Sequence, residues 1–279
     1  MKFQHFAIRY LRLKIRLLSI FSKKKAGNAA FMIFCTPYIK IRYDADKLKE
    51  AEKLLLLFNN LNTYGYRWNK GGSRKILIAH GFRSSAVNFE HFAKRLATKG
   101  FDVIAFDAPA HGLSEGKTLN ALEYKNFIDA IHKTFGPFDG YLTHSYGGLA
   151  VSLSLSELEE NGTEKTVLIA PAGNSISLCE NFFNELRIQD PMVRKYFFEN
   201  SERLSGRPID WFSIDRCASD LKGPVLWIHD LDDKITPVAD AKKVEKMALS
   251  NFQFRFTKHL GHRRIYRDEE VIQTVIDFL

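Results

Sequence analysis

The stretch Tyr141-Leu-Thr-His-Ser-Tyr-Gly-Gly-Leu-Ala150 decides how the rest of the chain is interpreted. Apolar and β-favouring residues precede Ser145, two glycines follow it, and a periodic run extends from Leu149 to Leu158. This order predicts a strand, a sharp turn and a helix, with the serine at the turn. Gly147 and Gly148 have no side chain, so the helix can pass close beneath the strand.

A serine at such a turn is typical of a nucleophile elbow, whose usual pattern is G-x-S-x-G. Thr143 stands at the first glycine position, which adds a side chain two residues before the serine. The alternative is a serine in an ordinary strand-to-helix loop, because patterns this short also occur by chance. The stretch by itself therefore indicates a nucleophile without establishing one.

A serine nucleophile needs a base to accept its proton and an acid to orient that base. The predicted buried strand Val225–His229 is followed by three closely spaced aspartates, and the strand that ends near Thr257 is followed by His262. The carboxyl ends of parallel strands share one edge of the sheet, where ligands bind. The sequence therefore predicts that one aspartate and His262 meet Ser145 at this edge.

Two backbone N–H groups are predicted to form an oxyanion hole. Such donors stabilise the charge that develops on the substrate oxygen, each by about 3 kcal/mol. The N–H of Tyr146, directly after the serine, is one donor. The turn His80-Gly81-Phe82 follows another predicted core strand, and Gly81 permits a close backbone approach. The N–H of Phe82 is therefore the predicted second donor.

Predicted strands and helices alternate from Lys75 onward, which favours an α/β fold with a mostly parallel central sheet and helices on both faces. Residues 172–222 interrupt the alternation with irregular, aromatic-rich helical stretches. This segment is predicted to be a helical cap inserted between two core strands. Upstream, we expect a strand within Phe31–Tyr43 and a helix over Asp44–Asn60.

Together these segments resemble the α/β-hydrolase fold serine hydrolases over about residues 64–279. In that family the acid stands three residues after a loop glycine and four before a proline. This spacing implies a triad of Ser145, Asp233 and His262, because Pro237 is four residues after Asp233. The matching motifs are His80-Gly81-Phe82, Asp107-Ala-Pro-Ala-His-Gly-Leu-Ser114, Thr143-His-Ser-Tyr-Gly147, His229-Asp-Leu-Asp-Asp-Lys-Ile-Thr-Pro237 and Gly261-His262.

The resemblance also separates catalytic from structural residues. Asp230 occupies the position of the loop glycine, a second departure from the family pattern besides Thr143. Asp232 is expected to shape the loop by bonding backbone N–H groups. The loop containing Asp107 is expected to be structural. His80, His144 and His229 are expected to be hydrogen-bonded neighbours of the site.

The net charge of +9 belongs to the N-terminus. Residues 1–43 hold ten basic residues and no acidic one, so 31 basic and 32 acidic residues remain in the body and nearly cancel. A neutral body argues against nucleic acid as a partner. Residues 2–21 have the periodicity of an amphipathic helix, and Lys23-Lys24-Lys25 follows. Four charges between Arg9 and Arg16 exclude a signal-peptide core or a spanning helix.

Residues 1–25 are therefore predicted to lie on an anionic membrane surface, to pack on a hydrolase domain of residues 26–279, or to form a loosely ordered basic tail. The first alternative predicts a cytoplasmic protein that is peripheral on the inner face of the membrane. The three cysteines are far apart and have no metal-site spacing, which suits a reducing compartment. Neither a metal nor a cofactor is expected.

The resemblance implies hydrolysis of a small-molecule carboxylic ester or thioester through an acyl-serine intermediate. Aromatic side chains in residues 172–222 favour an apolar acyl or aryl group. Peptidases, lactonases and acyltransferases share this machinery, so these activities remain open. A different class is a non-catalytic binding protein on the same fold, docked at a membrane by residues 1–25.

Overall fold

A computed structural model describes residues 2–38, 43, 48–158 and 162–279, with side chains from Phe6 onward. The chain divides into two units. A sheet unit contains residues 37–173 and 213–279, and a helical unit contains residues 1–36 and 174–212. The active-site residues predicted from the sequence all belong to the sheet unit.

The described residues of the sheet unit form eight strands in the spatial order β1-β2-β4-β3-β5-β6-β7-β8. Strands β3 to β8 pair in parallel, whereas β2 is antiparallel to both β1 and β4. The strands are β1 (Glu52–Phe58), β2 (Leu61–Trp68), β3 (Lys75–Ala79), β4 (Asp102–Phe106), β5 (Gly140–His144), β6 (Lys165–Ile169), β7 (Val225–Asp230) and β8 (Phe252–Thr257).

Helices cover both faces of this sheet. On one face, Phe92 of α3 and Val275 of α11 share a core with strand residues such as Ile76. On the other, Phe127 of α4 packs edge-on against Phe58 of β1, with ring centroids 5.2 Å apart. The helices are α3 (Glu90–Thr98), α4 (Ala121–Phe135), α5 (Tyr146–Leu155), α8 (Ile214–Cys217), α9 (Val238–Glu245), α10 (Gly261–Arg264) and α11 (Glu269–Phe278).

The helical unit joins the N-terminus to the inserted segment. Its helices are α1 (Lys2–Phe21), α2 (Lys23–Phe34), α6 (Ser175–Leu186) and α7 (Pro191–Ser205). Ile15, Phe31, Phe183 and Phe197 are buried together in its core. A Cβ added at Gly27 would lie 2.6 Å from the Val193 carbonyl oxygen, so α2 and α7 can approach this closely only because the residue is glycine.

The predicted fold class is confirmed by the mostly parallel sheet and the helices on both faces. The amphipathic helix over residues 2–21 and the helical character of residues 172–222 are also confirmed. Residues 1–36 and 174–212 form one compact unit, and this association was not predicted from the sequence. Among the described residues, no helix combines the length and the apolar character needed to cross a bilayer.

Two local predictions are wrong. Helix α2 continues to Phe34, where a strand was expected, because Ser22 caps its start and Ala26, Ala30 and Phe31 bury one face. The leucine-rich segment expected as a helix forms strand β1, which pairs residue by residue with β2. Pairing with a neighbouring strand overrides local helix propensity here. Residues 39–42 and 44–47 of these two predictions lie outside the described residues.

Candidate active site

Ser145 lies at the turn between β5 and α5 in a strained backbone conformation. Its φ is +54° and its ψ is −121°, which an L-residue rarely adopts. The turn is held from several sides: the N–H of Ser145 donates to the Ile169 carbonyl, and its carbonyl accepts from the N–H groups of Gly148 and Ala172. This is the strained geometry expected of a nucleophile elbow.

The residues around the turn explain how the elbow tolerates its unusual sequence. A Cβ added at Gly147 would lie 2.3 Å from the Ala79 carbonyl oxygen, so this position requires glycine. Thr143, which replaces the usual first glycine, is fully buried, and its hydroxyl donates to the Val167 carbonyl at 2.8 Å. The extra side chain is therefore packed and hydrogen-bonded beside the neighbouring strand.

Ser145, His262 and Asp233 form a continuous hydrogen-bonded chain. The Oγ of Ser145 is 3.0 Å from Nε2 of His262, and Nδ1 of His262 is 2.7 Å from Oδ2 of Asp233. Ser145 follows β5, Asp233 follows β7, and His262 lies in α10 after β8. The carboxyl ends of three parallel strands thus supply the three groups, as the sequence predicts.

The Asp233 carboxylate is buried and held by several donors. Its Oδ1 accepts from the N–H groups of Ile235 and Thr236, while Oδ2 accepts from the Thr236 hydroxyl and faces His262. Burial opposes ionisation, but the hydrogen bonds from His262 and from these N–H groups outweigh it and lower the pKa of Asp233. The carboxylate is therefore ionised at neutral pH and faces Nδ1 of His262 as a hydrogen-bond acceptor.

Asp230, the second departure from the family pattern, connects the two loops that hold Asp233 and His262. Its buried carboxylate accepts from the N–H of Asp232 at 3.0 Å, from the Leu260 N–H at 3.0 Å and from the Thr257 hydroxyl at 2.7 Å. Burial raises the pKa of Asp230, but these donors outweigh burial and lower it. Asp230 therefore fixes both loops as an anion.

The histidines near the site are buried and neutral. Nε2–H of His144 donates to the His262 carbonyl at 2.9 Å, which fixes the backbone of the predicted base. His80 accepts from the Ala108 N–H, and His229 donates to the Thr236 carbonyl. Burial lowers the pKa of His144 to about 3 and that of His80 to about 4. Their predicted role as hydrogen-bonded neighbours agrees with these contacts.

The two predicted oxyanion donors lie on adjacent backbone segments. A Cβ added at Gly81 would lie 2.9 Å from Cβ of Ser145, so this turn contacts the serine directly. The rings of Phe82 and Tyr146 meet edge-to-face with centroids 5.7 Å apart. The N–H of Phe82 donates to no other described residue.

The Asp107 loop is structural, as expected. The buried Asp107 carboxylate accepts from the N–H groups of Ala86 and Leu113 and from the Tyr43 hydroxyl. Within the described part of the chain, no three His, Cys, Asp or Glu side chains are placed to hold a metal ion. The contributions of Asp230 and Thr236 to the site were not predicted from the sequence. The departure at Asp230 was visible, but which groups it would bind was not.

Comparisons with known proteins agree with this architecture. Residues 72–202 match the family model described as serine aminopeptidase, S33. A search of the curated proteins gave no match. The solved structures give many matches.

Three of these structures are representative. An esterase of Pyrococcus furiosus is 20% identical, with a TM-score of 0.64, 88% of this chain covered and 95% of that one. A monoacylglycerol lipase of Paleococcus ferrophilus is 20% identical, with a TM-score of 0.59 and coverage of 77% and 97%. A structure described as a membrane phospholipase A, a bacterial virulence factor, is 17% identical, with a TM-score of 0.64 and coverage of 100% and 98%.

The chain therefore has the α/β-hydrolase fold, and the resemblance found in the sequence is confirmed at this level. Within that fold, the part of the chain from Gly72 to Glu202 is similar to the serine aminopeptidase S33 family.

Proposed function

We propose that this protein is a serine hydrolase that cleaves carboxylic esters at a membrane surface. The single observation that supports the chemistry best is the hydrogen-bonded chain from Ser145 through His262 to Asp233. The strained φ of Ser145 adds to it, because strain of this kind persists where the surrounding structure and a function require it.

The proposed reaction begins when Nε2 of His262 takes the proton of Ser145 and Oγ attacks the ester carbonyl. Asp233 holds Nδ1–H of His262 and stabilises the imidazolium that forms. The N–H groups of Phe82 and Tyr146 stabilise the oxyanion. His262 then gives its proton to the departing alcohol, leaving an acyl-Ser145. A water molecule, deprotonated by His262, hydrolyses this intermediate and restores the serine.

The structural neighbours favour ester substrates within the wider group of acyl-transfer reactions. Three of them are described as an esterase, a monoacylglycerol lipase and a phospholipase A. All three names describe cleavage of a carboxylic ester, whereas the matching family model is described as an aminopeptidase. The fold supports both chemistries, so the assay compares p-nitrophenyl butyrate with the corresponding thioester and an aminoacyl p-nitroanilide.

The test of the nucleophile uses two matched serines. Ser145→Ala is expected to abolish labelling by a fluorophosphonate probe and to reduce ester hydrolysis by orders of magnitude, because the attacking oxygen is lost. Ser152→Ala is the control, since Ser152 lies in α5 directly after the turn, is buried, and its hydroxyl has no hydrogen-bond partner among the described residues. Labelling of the Ser145→Ala protein at the wild-type rate would contradict the proposal.

Helix α1 supplies the proposed membrane contact, because it has two apolar faces. Ile15 and its neighbours on one face are packed in the core of the helical unit. The other face, termed here the outer stripe, is solvent-exposed and repeats every three or four residues, as one side of a helix does. The outer stripe consists of Phe6, Tyr10, Leu13, Leu17, Ile20 and Phe21.

Basic side chains border the outer stripe on both sides. At 3.6 residues per turn, Arg9 and Arg16 lie along one edge and Lys14 along the other. All three are exposed, and Lys23, Lys24 and Lys25 follow at the end of the helix. An apolar stripe bordered by cations suits a bilayer surface, because the apolar side chains can enter the acyl region while the cations contact anionic headgroups. The full-length match to a structure described as a membrane phospholipase A supports this contact.

The membrane contact is tested by substitution, because Ile15 is buried and deleting α1 would also remove part of a core. Replacing Leu13 and Leu17 with Gln removes apolar area worth about 2 kcal/mol in a bilayer, equivalent to about a 30-fold loss of affinity. Sedimentation with vesicles that contain phosphatidylglycerol measures the loss. The control replaces Leu55 and Leu57, which are exposed on strand β1. Equal losses in both proteins, or no wild-type binding at low salt, would contradict the proposal.

A further inference from the structure

The helical unit contains a groove between α1 and the segment that joins α6 to α7. Its volume is about 560 Å³. Arg9, Arg12 and Arg16 line it from successive turns of α1, and Arg187 lines it from the end of α6. Four arginines thus line one concave surface, although Arg187 is distant in the sequence from the other three.

The positive charge of the groove is not balanced by its own acidic residue. Asp190 is the carboxylate among the lining residues, so four arginines and one aspartate leave a net charge of +3. Asp190 is already engaged, because it forms an ion pair with Lys23 at 2.5 Å and caps α7 through the Val193 N–H. The hydrogen bond from Lys23 lowers the pKa of Asp190, so it remains ionised and paired.

The arginines are available to an anion. Arg9, Arg16 and Arg187 form no ion pair or side-chain hydrogen bond with any described residue. Arg12 is fixed in place, since its Nε and Nη2 donate to the Glu185 carbonyl at 3.0 and 2.6 Å. A guanidinium group binds phosphate oxygens through paired N–H donors, so clustered arginines favour phosphate over a simple halide.

The lining of the groove is also partly apolar, which distinguishes it from a site for a free inorganic anion. The buried side chains of Leu186 and Val193 line it together with the arginines. Leu13 lines the groove and also belongs to the outer stripe, so the groove opens beside the proposed membrane contact. A ligand that fits this lining has an anionic head and an apolar body.

We propose that this groove binds the phosphate headgroup of an anionic membrane phospholipid. The phosphate lies among the guanidinium groups of Arg9, Arg16 and Arg187, and the glycerol and first acyl carbons lie over Leu186 and Val193. This inference rests on the proposed membrane contact of α1 and adds a specific lipid site to it. It does not depend on the chemistry at Ser145.

The test is direct binding of a monomeric lipid. Full-length protein with Ser145→Ala, which prevents hydrolysis, is titrated calorimetrically with dihexanoyl phosphatidylglycerol below its critical micelle concentration. The groove variant replaces Arg9 and Arg16 with Gln. It is expected to bind at least tenfold more weakly, because each charge-assisted hydrogen bond contributes about a factor of ten. The control replaces Lys24 and Lys25 with Gln, which removes equal charge from exposed positions outside the groove.

Each arm of the experiment decides one point. Retained affinity in the control and weak binding of inorganic phosphate would support a lipid headgroup site. Equal weakening in both variants would show attraction to surface charge alone and overturn the proposal. Inorganic phosphate that binds as tightly as the lipid would also overturn it. Vesicle sedimentation that persists without binding of the short-chain lipid would refute the groove while leaving the membrane contact intact.

Discussion

Replacing Asp233 with Asn tests the assignment of the acid most sharply, because the hydrogen bonds around the carboxylate fix how the amide must sit. Oδ1 of Asp233 accepts from the N–H groups of Ile235 and Thr236. If the amide oxygen keeps these two bonds, the amide nitrogen faces Nδ1 of His262 and donates to it. His262 is then forced to carry its proton on Nε2, where it can no longer accept the proton of Ser145.

The opposite orientation of the amide is unfavourable. It would place an N–H₂ group against the N–H groups of Ile235 and Thr236 and leave two donors without acceptors. Each unsatisfied buried donor costs about 1 to 3 kcal/mol, so this orientation is disfavoured by about 2 to 6 kcal/mol. The wrong tautomer of His262 therefore dominates. In a serine protease the same change lowers kcat by about 10⁴, and we expect a loss of similar size here.

The assay is steady-state hydrolysis of p-nitrophenyl butyrate, with circular dichroism to confirm that each variant is folded. Asp232→Asn is the matched control, because Asp232 lies next to Asp233 but accepts from the N–H of His259 rather than from His262. We expect the control to retain most of its activity. A large loss for Asp232→Asn with little loss for Asp233→Asn would refute the reasoning, and equal modest losses would mean that neither residue is the acid.

Three further predictions concern the support of the site. Gly147→Ala should destabilise the fold by about 3 kcal/mol or more in urea unfolding, because its Cβ would overlap a strand carbonyl oxygen. Gly162→Ala should be neutral, because its Cβ would make only an ordinary contact with Cβ of Lys222 at 4.0 Å. Asp230→Ala should lower kcat more than it raises KM and should destabilise the fold by about 3 kcal/mol, because buried donors on the loops that hold Asp233 and His262 lose their acceptor. An unchanged kcat would contradict a role of Asp230 in positioning these loops. The pKa values of His80 and His144 are depressed from 6.5 to about 4 and about 3, so the unfolded chain binds more protons and stability falls as pH drops below about 6.5. Each histidine should lower the free energy of unfolding by about 2 kcal/mol by pH 5. Urea unfolding at pH 7.5 and pH 5 should show that a His144→Asn variant loses less stability between these pH values than the wild type does.

The sequence alone determined the alternating strands and helices of the core and the identity of the candidate site residues. Buried strands are short apolar runs, and the groups that follow them must share one sheet edge. This rule brought together Ser145, Asp233 and His262, which the folded chain places within hydrogen-bond distance of one another. Their catalytic role remains a prediction, and so does that of Phe82 and Tyr146.

Local patterns were misleading where distant segments decide the structure. The leucine-rich segment before β2 has helical spacing, yet it becomes β1 because the edge of the sheet offers it hydrogen-bonding partners. The apolar side of α1 was visible as one broad face. Only the tertiary structure divides it into a core face around Ile15 and an exposed outer stripe.

Only the tertiary structure decided which polar groups meet. Asp230 was recognisable as a departure from the family pattern, but its bonds to Asp232 and Leu260 depend on two loops that approach each other in space. The groove likewise joins arginines of α1 to Arg187, which is far away in the sequence. Periodicity and spacing report on neighbours along the chain, whereas these contacts arise from packing between segments that the sequence order does not bring together.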